Sequence, residues 1–273
     1  MMIQAAVTMN QLQKQLDVIG NNIANAETTG YKARKTEFSS LLFDQINNLS
    51  DPANQQGRLT PDGIRVGSGA RLGATHFNLS EGHMIKTDRS LDTALVDSNM
   101  LFEIQVTENE VTETRYTRDG AFYINPMNDD QVMLTTVDGH PVLGRNGNPI
   151  VFSSEFDNID ISETGMVTIQ QGNLTFSIGE INVVTANRPR LLEAIGANQF
   201  RLPNLEQLGM VESDIIQDTA PGLEVLQSHT LERSNVQLAE EMTELIMTQR
   251  AFEFNARTIS MADQMSGLIN QLR

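Results

Sequence analysis

Residues 2–24 read MIQAAVTMNQLQKQLDVIGNNIA, and residues 231–259 read LERSNVQLAEEMTELIMTQRAFEFNARTI. In the first stretch Met2, Ala5, Met9, Leu12, Leu16, Ile19 and Ile23 recur at alternating spacings of three and four. In the second, Leu231, Asn235, Leu238, Met242, Leu245, Gln249, Phe252, Ala256 and Ile259 do the same. Such a repeat keeps one seam of a helix turned toward a partner helix, as in a coiled coil. The partner can be the opposite end of the chain, another copy, or both. An isolated helix gains most of its stability from packing, so neither seam is expected to stand alone. Assembly, rather than catalysis, is the first expectation.

Between these ends the pattern changes to short extended pieces. Strands are predicted at 101–106, 114–116, 121–124, 132–136, 141–143, 150–152, 165–169, 174–178 and 181–184. Asp119-Gly120, Asp138-Gly139, Asn146-Gly147 and Gln171-Gly172 stand between them, and such pairs mark tight turns because glycine accepts positive φ. Residues 36–47 hint at a second short helix, and the helical period is expected to return from about 226. The predicted fold class is α+β, with a mainly-β central domain, sandwich or barrel-like, inserted between N- and C-terminal helices that pair as a coiled-coil-like core. The boundaries read as an N-terminal helical segment over 1–35 and a partly irregular connector over 36–80. A β domain then spans 81–228, and a C-terminal helix 229–273.

The chain of 273 residues carries a net charge of -16, which argues against nucleic acid and anionic membranes as partners. The ends are nearly neutral. Lys14, Lys32, Arg34 and Lys35 face Asp17, Glu27 and Glu37 in residues 1–40, so the acidity is concentrated in the middle. Without cysteine there is no disulfide, thiol nucleophile or thiolate metal site. Gln4, Thr8, Asn10, Gln11 and Gln13 interrupt the N-terminal apolar positions, so neither a cleaved signal peptide nor a membrane-inserted segment is expected.

Candidate chemistry is thin. His76, His83, His140 and His229 lack the spacing of a helical metal site. The glycine-rich run from Gly67 to Gly73 lacks the Lys-Ser/Thr ending of a phosphate loop. Asp129-Asp130 and the pair Asp157 and Asp160 lack the ligand spacing of a calcium loop. No catalytic residue, cofactor or metal is therefore expected. Asn235 and Gln249 sit at seam positions, where buried amides can fix register or partner number, or else they face solvent. Asn21, Asn22 and Asn25 can cap a helix end or bond between subunits. Thirteen methionines offer adaptable packing.

Three motif groups carry a resemblance. Leu16-Asp17-Val18-Ile19-Gly20-Asn21-Asn22-Ile23-Ala24-Asn25 followed by Thr28-Thr29-Gly30-Tyr31-Lys32 resembles the N-terminal signature of bacterial flagellar rod and hook proteins. Leu231-Glu232-Arg233-Ser234-Asn235-Val236, with Glu241-Met242, Gln249-Arg250-Ala251-Phe252-Glu253 and Asn255, is similar to their C-terminal signature. Tyr116-Thr117-Arg118-Asp119-Gly120-Ala121-Phe122 resembles the central motif of the distal-rod branch. The resemblance implies an axial structural subunit of the flagellar basal body, whose terminal helices pair in an inner tube and which transmits torque. It implies passage through the flagellar type III export apparatus without signal cleavage, self-association as a homo-oligomer, and contact with other rod and hook proteins. The assembly residues expected on this basis are Leu12, Leu16, Ile19, Asn21, Asn22, Ile23, Asn25, Gly30, Ser234, Asn235, Leu238, Met242, Leu245, Gln249, Phe252, Ala256 and Ile259. Two competing readings are a secreted wall- or glycan-binding β module dimerised by its helices, and a wall hydrolase.

Overall fold

The N-terminal repeat forms one helix, Met2–Ala24, rich in the unbranched residues that lose least freedom in a helix. It stops in a turn where Thr28 N–H donates to the Asn25 carbonyl at 3.2 Å. Gly30 follows with φ 65°. The C-terminal repeat forms a 34-residue helix, Leu238–Gln271, about 51 Å long at 1.5 Å per residue. Glu240 and Glu241 in its first turn complement the positive end of the helix dipole. In the computed structural model the described residues are 2–40, 43–46, 64–67, 70–196 and 198–271. They fall into two units. One comprises Met1–Ile23, Arg34–His76 and Leu238–Arg273, and the other Ala24–Ala33 and Phe77–Gln237.

The first unit holds the two helices and four strands: β1 (Arg34–Ser40), β2 (Phe43–Ile46), β3 (Ile64–Gly67) and β4 (Ala70–Phe77). β1 pairs with β4, and β2 with β3 in antiparallel register, Phe43 opposite Gly67 and Ile46 opposite Ile64. The short helix expected over 36–47 is replaced by strand at 36–40 and 43–46; cross-strand pairing overrides a weak local helical pattern. Residues 47–63 of the expected connector lie outside the described residues, as do residues 41 and 42 and residues 68 and 69 of the glycine-rich run. That run continues as strand from Ala70.

The second unit is the β domain. Its strands are β5 (Met84–Lys86), β6 (Thr93–Leu95), β7 (Met100–Glu108), β8 (Val111–Thr117), β9 (Tyr123–Pro126), β10 (Gln131–Thr135), β11 (Val151–Ser153) and β12 (Asn158–Ile161). They continue with β13 (Met166–Gln171), β14 (Leu174–Glu180), β15 (Val183–Ala186), β16 (Glu193–Ile195), β17 (Gln199–Arg201), β18 (Ile216–Asp218), β19 (Leu226–Ser228) and β20 (Thr230–Glu232). The largest sheet has the order β16-β17-β8-β7-β15-β18, and two three-stranded sheets, β11-β10-β9 and β12-β13-β14, share its main core. Side chains alternate along β7. Phe102, Ile104 and Val106 enter that core, while Leu101 enters a second cluster with Tyr116, Val184 and Phe200. Met100, Leu101 and Phe102 are buried on both faces, and beyond them Glu103 and Gln105 alternate with the buried Ile104 and Val106. Phe102 meets Phe122 edge-on, centroids 5.1 Å apart.

Gly139, Gly147 and Gly172 adopt positive φ in their turns, as the Asp-Gly, Asn-Gly and Gln-Gly pairs predict. The segment 141–143 forms isolated bridges rather than a strand. The helical period expected from 226 is corrected: β19 and β20 occupy 226–232, and the helix begins at Leu238. Thr230 and Glu232 are buried while Leu231 is half-exposed, a period of two that suits pairing with β5. Ser234 Oγ then accepts from Val236 N–H at 3.2 Å, a local bond that competes with helix.

Candidate assembly interface

Within the first unit, side-chain bonds run between the terminal helices. Gln15 Nε2 donates to Glu244 Oε1 at 2.8 Å, and Asn22 Nδ2 to Glu241 Oε1 at 3.1 Å. Asn22 is buried, and its amide also accepts from Arg34 N–H and donates to the Arg34 carbonyl, both at 2.9 Å. Of the expected seam residues on the N-terminal helix, Ile19 is buried and Leu12, Leu16 and Ile23 are half-buried; Asn21 is exposed. On the C-terminal helix Leu245, Phe252, Ala256 and Ile259 are half-buried, whereas Leu238, Met242 and Gln249 are exposed. The most shielded positions in its first three turns are Glu241 and Thr248, so the covered stripe starts one residue away from the sequence repeat. Burial is the foremost cause raising the Glu241 carboxyl above its ordinary range, with Glu244 and Glu240 adding to it against the Asn22 bond.

The rest of the C-terminal helix presents apolar side chains to solvent. Ile246, Met247, Phe254, Met261, Met265, Leu268 and Ile269 are each at least half-exposed, Phe254 at 69%. Contiguous apolar patches of this kind are rare on monomeric soluble proteins.

The second unit contains a cluster that the sequence pattern did not single out. Lys32 and Arg118 lie 200 and 114 residues before Glu232 in the chain, and all three are almost fully buried. Glu232 Oε1 accepts from Lys32 Nζ and from Gly82 N–H, both at 2.7 Å, and Oε2 accepts from Arg118 Nε at 2.8 Å. Arg118 Nη1 donates to the carbonyls of Asp97, Ser98 and Met100 at 2.7–2.9 Å, and Lys32 Nζ also reaches the Ser80 carbonyl at 2.7 Å. Burial works to raise the Glu232 carboxyl, but Arg118, Lys32 and the Gly82 N–H together hold it below the usual range. Burial, then Arg118, brings the Lys32 ammonium down to about 8 against the pull of Glu232. At neutral pH Lys32 and Glu232 are therefore both charged.

Backbone closes around this triad. Gly30 N–H donates to the Glu232 carbonyl at 2.9 Å. A Cβ on Gly30 would lie 2.5 Å from Asp119 N, one on Gly82 1.9 Å from the Arg233 carbonyl oxygen, and one on Gly120 1.7 Å from that of Thr93. Gly120 is thus required for close approach, and it does not have the positive φ expected of a tight turn. Asn235, expected on a helical seam, instead lies in the loop before the helix. Its Oδ1 accepts from Ala33 N–H at 2.8 Å, and its Nδ2 donates to the carbonyls of Asn78 and Ser80 at 2.7 and 2.9 Å. Ser234 is buried in the same loop, and Asn25 Oδ1 takes a bond from Thr28 Oγ1 at 3.2 Å. Lys32, Gly82, Arg118, Gly120 and Glu232 are the members missed by periodicity. All but Gly82 stand inside the motifs quoted for the resemblance.

A polar groove of about 550 Å³ lies elsewhere on this unit, lined by Asp88, Asn158, Asp160, Gln170 and His229 among others. His229 Nε2 stands 3.5 Å from Asp160 Oδ1, both side chains half-exposed.

Comparison with known proteins bears on the whole chain. Residues 4–32 match the model described as flagella basal body rod protein, residues 96–169 the flagellar hook protein FlgE/F/G D1 domain, and residues 227–272 the flagellar basal body rod FlgEFG protein C-terminal. A flagellar hook-basal body complex protein FlhP of Bacillus subtilis is 39% identical over 100% of this chain and 98% of its own length. Flagellar basal-body rod proteins FlgG of Caulobacter vibrioides and Borreliella burgdorferi are 34% and 33% identical, each over 98% of this chain and 97% of theirs. The chain belongs to the flagellar basal-body rod family. It is a structural protein of the flagellar basal body, and no helix among the described residues is long and apolar enough to cross a membrane. Each of the three matched segments contributes one member of the buried triad: Lys32, Arg118 and Glu232.

Proposed function

We propose that this protein is an axial subunit of the flagellar rod, polymerising through its terminal helices into a shaft that carries torque. The observation that carries this reading is the 34-residue C-terminal helix whose apolar side chains stand exposed on the isolated chain. Left in water, that surface favours association with helices of like pattern, and neighbouring copies supply them. Close packing of such helices gives a stiff assembly, because dense interiors transmit strain. Leu12, Leu16, Ile19 and Ile23 would form the inner side with Leu245, Phe252, Ala256 and Ile259. Leu238, Met242 and Gln249 would meet neighbouring subunits, together with other rod and hook proteins. Export through the flagellar type III apparatus, without a cleaved signal, follows from the same family reading.

The test is Leu245→Asp in the native cell. A charge placed in an apolar contact without a partner is costly, so the variant should be made and keep a folded β domain yet fail to enter basal bodies. Motile cells with complete basal bodies containing the variant would refute the seam.

A further inference from the structure

The buried triad carries an inference beyond assembly itself. We propose that Glu232 makes docking of the N-terminal segment 24–33 onto the β domain conditional on docking of the C-terminal segment 230–237. Three observations support it. Arg118 is fixed within the β domain by three backbone carbonyls, whatever the terminal segments do. Lys32 arrives from the N-terminal segment as a second cation in the same dry site, and Arg118 opposes its charge. Glu232, arriving from the C-terminal segment, is the anion that binds both cations, and among the described residues it is the one ion-pair partner of each.

Without Glu232, docking residues 24–33 would bury two like charges side by side with no counter-ion. Removing one partner of a buried ion network is strongly unfavourable for that reason. The backbone reinforces the order: Gly30 N–H bonds to the Glu232 carbonyl, and Ala33 N–H to the side chain of Asn235. Both acceptors come from the C-terminal segment. The β domain alone gives residues 24–33 the Asn78 N–H and the Ser80 carbonyl, and the stretch gains its counter-ion and remaining acceptors once the stretch that leads into the C-terminal helix is seated. A chain whose C-terminal part is not yet in place keeps its N-terminal segment undocked. This holds whether or not the helices polymerise as proposed above.

Hydrogen exchange on the purified full-length protein tests it, with Glu232→Gln, Lys32→Met and the double variant. Glu232→Gln preserves shape and removes the charge. Exchange in residues 24–33 should accelerate by about a hundredfold or more while β7 and β13 keep their protection. Adding Lys32→Met removes the repulsion and should restore most of that protection. Unchanged exchange at 24–33 in Glu232→Gln would overturn the proposal. If Glu232→Gln instead unfolds the whole domain, the double variant decides: recovery of the fold supports the proposal, and a double variant as unfolded as the single one overturns it.

Discussion

Replacing Asn235 separates the structure from the sequence pattern most cleanly. At a coiled-coil seam an amide costs stability, so Asn235→Ala would be neutral or stabilising. In the loop where it lies, the same change strips the Ala33 N–H of its acceptor at 2.8 Å and two carbonyls of their donor. Ala33 is buried, so its orphaned N–H costs about 1–3 kcal/mol. Asn78 and Ser80 are closer to solvent, and water compensates most of their loss, adding about 0.5 kcal/mol each. The expected destabilisation of the β domain is about 2–4 kcal/mol, or roughly 1–2 M in urea midpoint. Tyr31 and Tyr116 are both buried in this unit, so tyrosine near-ultraviolet dichroism reports its unfolding. Asn235→Asp, nearly the same shape, should be at least as harmful, since it turns a carboxylate toward two carbonyl oxygens. A shift below about 0.5 kcal/mol for Asn235→Ala, or an Asp variant as stable as the parent, would refute the assignment.

Gly82, whose N–H binds Glu232, offers a further test, with Gly179 as its control. Gly82→Ala places a methyl 1.9 Å from the Arg233 carbonyl oxygen, and should cost about 1–3 kcal/mol by urea denaturation. Gly179→Ala, which meets nothing within 4 Å, should stay within about 0.5 kcal/mol. The Lys32 ammonium titrates near 8 when folded and near 10.5 when unfolded, so between these values the unfolded chain holds the extra proton. Stability of the parent relative to Lys32→Met should accordingly rise with pH across that window, by up to about 3 kcal/mol, and stay level below it. A falling or flat difference in parallel urea titrations would contradict this.

The parts legible in the sequence were those set by local rules. The helical repeats placed the body of both terminal helices, and the glycine turns at 139, 147 and 172 placed hairpins with the right backbone sign. The β7–β8 hairpin turn escaped notice because Asn109 and Glu110 take positive φ without a glycine. Residues 226–237 misled because Leu231 and Asn235 fall in phase with the helix that follows, whereas their structure is dictated by pairing with β5 and by bonds to residues 33, 78 and 80. The triad was invisible to periodicity for a different reason. A charged residue in a sequence is by default solvated, and only the folded chain brings positions 32, 118 and 232 together. The signal that could have found them was their placement, one in each motif group.

The most direct test of the central claim, that the exposed helical face is covered by neighbouring subunits, uses a thiol in this cysteine-free chain. Met247, 61% exposed on the C-terminal helix, and Leu174, 64% exposed on the β domain, are each changed to Cys and probed with a maleimide in purified monomer and in isolated basal bodies. Assembly through the helix predicts that the thiol at 247 reacts in the monomer and is protected in basal bodies that contain the protein. Equal reactivity at 247 in both states, with the thiol at 174 as the measure of reagent access, would contradict the account.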